Sequence, residues 1–105
     1  MAWEVIGTTR DGKLLVWGST SGPSSYSAGG FSVTVPVVRK VLKVLVASAS
    51  GGYKVEPASI SVSGNTLTVP VFEYNYPATA SGPATQVGDG TDLSGVTFEF
   101  LILGV

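Results

Sequence analysis

"GVTFEFLILGV", residues 95–105, decides the fold class of this 105-residue chain. Val96, Phe98, Phe100 and Ile102 recur at every second position, and Leu101 and Leu103 fall on the alternate positions. A period of two is the spacing of a β-strand, whose successive side chains point to opposite faces. The second half of the stretch is apolar at every position, which predicts a strand central to its sheet and buried on both faces.

The same period runs backwards through the chain. Ala2 to Thr8 reads as a first strand, Thr9-Arg10-Asp11-Gly12 has the Asp-Gly chemistry of a tight turn, and Lys13 to Ser19 returns antiparallel to the first. Residues 20–30 form a Ser- and Gly-rich loop, Phe31 to Val35 is a third strand, and Pro36 ends it because proline has no ladder donor. "VVRKVLKVLVASAS", residues 37–50, is ambiguous: Val38, Val41, Leu42 and Leu45 could line a helical face. Its valines are stiff at χ1 and favour a pleated strand, expected over Val41 to Ser48 after a turn at Arg39-Lys40.

Gly51-Gly52 breaks the chain, Tyr53 to Glu56 and Ile60 to Ser63 are extended around Pro57, and Gly64-Asn65 makes a further hairpin turn. Leu67 to Tyr76 is expected as one long strand, with Pro70 marking a bulge or an edge position. Residues 77–94, "PATASGPATQVGDGTDLS", form a second loose segment, longer than most connections in a small domain. The pattern predicts an all-β fold: one antiparallel β-sandwich domain over residues 1–105, jelly-roll or Ig-like, with about seven to nine short strands, no long helix and no internal repeat.

Composition excludes several functions. Six Lys and Arg against seven Asp and Glu leave a net charge of −1, with no basic block to attract a phosphate backbone, so no nucleic-acid partner is expected. Without Cys or His there is no Ser-His-Asp triad, no cysteine nucleophile and no ordinary zinc site. The N-terminus has no cationic segment leading into an apolar one, and no apolar run approaches the ~18 residues of a membrane helix. A soluble chain made in the cytoplasm, with no membrane partner, is the expectation.

Only 12% of residues are charged, against about 25% in an average domain. Two readings stand side by side: part of the exterior is covered by other subunits, or a hydroxyl-rich β surface keeps the chain soluble. The first predicts a closed homo-oligomer, with a trimer favoured.

The carboxylate pairs that could act as acid and base are Glu73 with Glu99 and Asp89 with Asp92. Glu73 and Glu99 alternate with apolar neighbours and read as outward-facing strand residues, so neither an enzyme nor a cofactor is expected. "DGTD", residues 89–92, offers oxygen ligands for calcium but lacks the further acids of a calcium loop. It reads as a turn, with Asp92 capping before Leu93.

Trp3, Trp17, Tyr26, Tyr53, Tyr74 and Tyr76 offer flat faces that could stack on sugars, and Phe72, Tyr74 and Tyr76 share one strand face. A stripe at strand spacing is more often core or interface, and a glycan-binding module stands as the alternative function. The residues expected at an interface are Trp3, Val5, Trp17, Tyr26, Phe31, Tyr74 and Tyr76. Residues 1–8 and the 20–30 loop are the first contact segments, and 77–94 is the second.

One set of motifs is more specific. "SYSAGG" (25–30), "SASGGYKV" (48–55), "SGNTLTV" (63–69), "TQVGDGTDLS" (85–94) and "VTFEFLILGV" (96–105) follow one another in an order that resembles small virion structural proteins of tailed bacteriophages. The similarity runs from about residue 15 to the end, and departs after Gly29-Gly30, where this chain has Phe31-Ser32-Val33 in place of a more acidic segment. The resemblance implies a capsid decoration or cement protein in the virion, assembled in the host cytoplasm. Its partners would be the major capsid protein or other virion proteins, with no catalytic residue to carry over. A tail or fibre subunit is the alternative within the same class.

Overall fold

The structure is a computed structural model that describes residues 2–73 and 85–105. The chain is all-β and antiparallel. Its strands are β1 (Ala2–Thr8), β2 (Leu14–Ser21), β3 (Phe31–Thr34), β4 (Val41–Ala49), β5 (Tyr53–Lys54), β6 (Ser61–Ser63), β7 (Thr66–Val69), β8 (Phe72–Glu73), β9 (Thr85–Gln86) and β10 (Thr97–Gly104). Among the described residues the one helical element is a single 3-10 turn, Pro57–Ser59.

The strands form a four-stranded sheet in the order β1-β2-β10-β4 and two three-stranded sheets, β3-β7-β6 and β5-β8-β9. The C-terminal strand is central, as its pattern requires: β10 pairs with β2 from Thr97↔Ser21 to Gly104↔Leu14 and with β4 on its other side. Phe98, Phe100 and Ile102 are fully buried on its inner face, each burial contributing on the order of 1.5–3 kcal/mol. Its other face is only half-buried at Leu101 and Leu103, which corrects the expectation of burial on both sides. The core forms on one side of this sheet. Val33, Leu67 and Val69 of the second sheet join Val55, Val71 and Val87 and the inner face of β10 in one buried cluster. Phe31 of β3 meets Phe98 of β10 with ring centroids 4.9 Å apart.

Within residues 37–50 the chain forms a strand, β4 over Val41–Ala49, rather than a helix, and two register shifts in the β4–β10 ladder explain the mixed period. Leu101 pairs with Val46 and Ile102 with Val44, so Leu45 is extra; Leu103 pairs with Lys43 and Gly104 with Val41, so Leu42 is extra. Each bulge resets the alternation, and apolar residues recur at spacings that imitate a helix.

The expected long strand Leu67–Tyr76 is divided at Pro70. β7 ends at Val69, and the chain re-pairs as β8 in a different sheet, because proline gives no N–H to the ladder. The last residues of that expected strand, from Tyr74, lie outside the described residues, as does the 77–84 part of the second loose segment.

The turns follow the local chemistry. At the β1–β2 turn the Gly12 amide donates to the Thr9 carbonyl at 3.1 Å, and Gly12 takes a φ of 84°. Asp11 accepts hydrogen bonds from the Thr9 hydroxyl and the Lys13 ammonium. In the β6–β7 hairpin Gly64, with φ 60°, occupies the first central position, where a II′ turn needs glycine.

Candidate interaction surfaces

The outer face of the four-stranded sheet follows from register. Cross-strand partners point to the same face, so Glu4, Trp17, Leu101 and Val46 form one row across β1, β2, β10 and β4. The next row is Gly7, Leu15, Leu103 and Lys43, and on the other side Ser19, Glu99 and Ser48 stand in line. An apolar band therefore crosses the sheet with a polar row beside it. Trp17 is 36% and Val46 47% exposed, while Leu15, Leu101 and Leu103 are half-buried.

Strand β1 is an edge. Among the described residues it pairs with β2 alone, and a register shift between Val5 and Gly7 leaves Ile6 unpaired in the ladder. Val5 is 44% and Ile6 51% exposed, so the edge is apolar. Trp3 lies on the inner face, half-buried against the core.

On the opposite edge the two bulge leucines, Leu42 and Leu45, line a shallow groove of about 400 Å³ with Pro57, Ala58, Ile60 and Val62. This groove is a product of the bulges, and the sequence signal for it was the same helix-like spacing that made residues 37–50 ambiguous.

The first loose segment is held by the described part of the second, residues 85–94. The Tyr26 amide donates to the Thr91 carbonyl at 2.9 Å, the Gly90 amide to the Tyr26 carbonyl at 2.7 Å, and the Leu93 amide to the Pro23 carbonyl at 2.8 Å. Asp89 accepts the Ala28 amide. At Gly22 a side chain would meet the Leu93 carbonyl oxygen at 2.5 Å and Phe98 at 2.8 Å, so the loop lies directly on the core. Residues 22–30 are therefore anchored to the fold through Gly22 and Tyr26, while Ser24, Ser25, Ser27, Ala28 and Gly29 are exposed.

Tyr26, expected at an interface, is 1% exposed. Its hydroxyl accepts hydrogen bonds from the Val71 amide at 2.9 Å and from Gln86 Nε2 at 3.4 Å, tying the loop to the chain that follows Pro70. A tyrosine can be buried when its oxygen finds such partners. Phe31 is half-buried on Phe98 rather than presented outward. Val5 and Trp17 are exposed as expected, and Tyr74 and Tyr76 lie outside the described residues.

The carboxylates do not converge. Glu73 of β8 and Glu99 of β10 belong to different sheets. Asp89 serves the loop contact, and Asp92 accepts the Ser94 hydroxyl at 2.6 Å and the Ser94 amide at 2.9 Å. These bonds hold the Asp92 carboxyl below the usual carboxylate range, the hydroxyl being the larger cause. "DGTD" is thus a turn with its oxygens engaged, and among the described residues no group of three or more acids or histidines is placed to hold a metal. No helix among the described residues is long and apolar enough to cross a membrane. Comparison with protein-family models, with curated proteins and with solved structures found no match.

Proposed function

We propose that this protein is a non-catalytic association domain, used as a virion structural protein that decorates and stabilises a tailed-phage head. The motif order of residues 25–105 supports the virion assignment, and the exposed β1 edge carries the mode of attachment. Val5 and Ile6 are 44% and 51% exposed on a seven-residue strand that, among the described residues, is paired on one side only. A free edge with apolar side chains takes an extended segment of a neighbour by strand addition, where main-chain hydrogen bonds supply affinity without charge. Copies placed on adjacent capsid subunits each need only modest affinity. No converging acid, base or nucleophile competes with this reading among the described residues.

The test is add-back of the purified protein to phage heads stripped of it, read by cryo-electron microscopy and by the temperature at which heads release their DNA. Density at a repeated capsid position and a raised release temperature support the proposal. Density confined to the tail, or staining of a glycan array that is lost in Trp17→Ala, overturns it in favour of a tail subunit or a sugar-binding module.

A further inference from the structure

The Leu42–Leu45 groove is bordered by strand edges as well as apolar side chains, and the ladders fix which main-chain groups those edges present. The Gly22 amide donates to the Val96 carbonyl at 3.0 Å, one pair beyond Ser21↔Thr97, so the even-numbered residues of β10 bond to β2. Its odd-numbered residues bond to β4, in agreement with the 3.0 Å bond from the Ser50 amide to the Thr97 carbonyl. Ile102 therefore bonds to Val16 of β2, and Val44, its partner on β4, turns its own N–H and C=O away from the sheet. Val41, opposite Gly104, is turned the same way, and its amide donates outward to the Gly64 carbonyl at 2.8 Å. On the facing wall the two-residue Gly64-Asn65 turn makes Ser63 and Thr66 the bonded pair, which directs the main chain of Val62 away from β7. Val44 and Val62 both line the groove, and among the described residues neither has a hydrogen-bond partner on that side. The side chains add a sign. Lys43 is the single charged residue lining the groove among the described residues, and Arg39 and Lys40 are exposed just before the strand. No Asp or Glu stands between Asp11 and Glu56 in the sequence, and Glu56 is paired with Lys54 at 2.8 Å.

We propose that this groove docks an extended acidic segment of a partner protein, with apolar side chains against Leu42, Leu45 and Ile60, its main chain bonded to Val44 and Val62, and a carboxylate beside Lys43. A helix uses its main-chain groups internally and has none to offer two strand edges, whereas an extended segment presents them on both sides. At ~3.3 Å per residue, ~4.8 Å between strands and ~10 Å between sheets, an extended residue occupies roughly 160 Å³. The groove of about 400 Å³ thus holds about two to three residues, a short contact of roughly millimolar strength by itself. It lies at the opposite edge of the sheet from β1, so the proposal stands apart from attachment through that strand.

The probe is a blocked hexapeptide alternating valine with glutamate, titrated to about 10 mM at low salt and followed through the amide resonances of the protein. Its counterpart with lysine in place of glutamate is the control. The expected result is saturable shifts and slowed amide exchange at Val44 and Val62, with binding about 5-fold or more tighter than that of the lysine peptide. Lys43→Glu is expected to reverse the preference, and Leu45→Asp to weaken the glutamate peptide by about 5-fold or more. Thermal melts of both variants confirm that the fold is retained. No saturable shift at Val44 and Val62 up to about 10 mM, equal binding of the two peptides, or a preference unmoved by Lys43→Glu overturns the proposal. Shifts confined to the β1 edge overturn it too, as do shifts at Val44 and Val62 that follow protein concentration without peptide, which would make a second copy the occupant.

Discussion

Trp3 and Phe100 stack across the backbone of Gly18, with ring centroids 6.1 Å apart and planes within 13° of parallel. Trp3 of β1 and Phe100 of β10 both pair with Gly18 of β2. A side chain at position 18 would stand between the rings, its Cβ only 2.0 Å from Trp3 Cε3. The glycine is what lets the edge strand fold its indole over the sheet and reach the core.

Gly18→Ala is therefore expected to displace the indole and destabilise the domain by about 1–3 kcal/mol, the range for overpacking a filled site. Urea denaturation with the tryptophan emission maximum as a second readout checks this, since a displaced Trp3 shifts to the red. Unchanged stability and emission would show that the stack is not required.

The Trp3 indole N–H is buried and has no hydrogen-bond partner. Removing an unsatisfied donor while keeping the ring offsets the smaller area, so Trp3→Phe should change stability by less than about 1 kcal/mol. Trp3→Ala should cost about 3 kcal/mol through the lost packing. Equal losses in the two variants would show that the indole nitrogen contributes.

Tyr26→Phe removes the oxygen that accepts the Val71 amide in the buried region behind Pro70. The stranded N–H should cost about 1–3 kcal/mol. Hydrogen exchange at Val71 should rise as well, which distinguishes this from a general loss of packing.

Asp89→Ala removes the acceptor of the Ala28 amide. The bond is exposed, so the global cost should be no more than ~1 kcal/mol. The informative measurement is amide exchange, expected to accelerate at Ala28 and through residues 22–30 and 88–95 while the β2–β10 ladder is unchanged. Acceleration throughout the molecule would contradict a local role.

The hydrogen bond from Lys13, and then that from Thr9, lowers the Asp11 carboxyl from 3.8 to about 2. A depressed folded-state value means the unfolded chain takes up this proton first. The contribution is complete above pH 3.8 and is lost as pH falls through about 2. Carboxyl-detected NMR titration should give Asp11 a midpoint well below its ordinary value in the parent, and a return towards that value in Lys13→Ala. An Asp11 midpoint unmoved by Lys13→Ala would remove Lys13 as the cause.

Much of the fold was legible because strand formation is written in local alternation. The period of 95–105 identified a central strand, and the Asp-Gly and Gly-Asn pairs located two hairpin turns. The absence of His and Cys removed whole classes of chemistry before any coordinate was known.

What the chain could not display locally were relations between distant segments. Alternation says that β10 has two apolar faces but not that the second sheet covers only one of them. That choice depends on where β3 and β7 dock, and it leaves Leu101 and Leu103 on an open face beside Trp17. Tyr26 looks in sequence like an exposed loop aromatic, yet the Val71 amide 45 residues away accepts it into the core by supplying the donor that its hydroxyl needs. The two loose segments read separately as free loops, and only mutual backbone bonds tie residues 22–30 to residues 88–93. Bulges are equally silent, because an extra residue in one strand is defined by its partner; the ladder to β10 is what turned Leu42 and Leu45 out of register and into a groove.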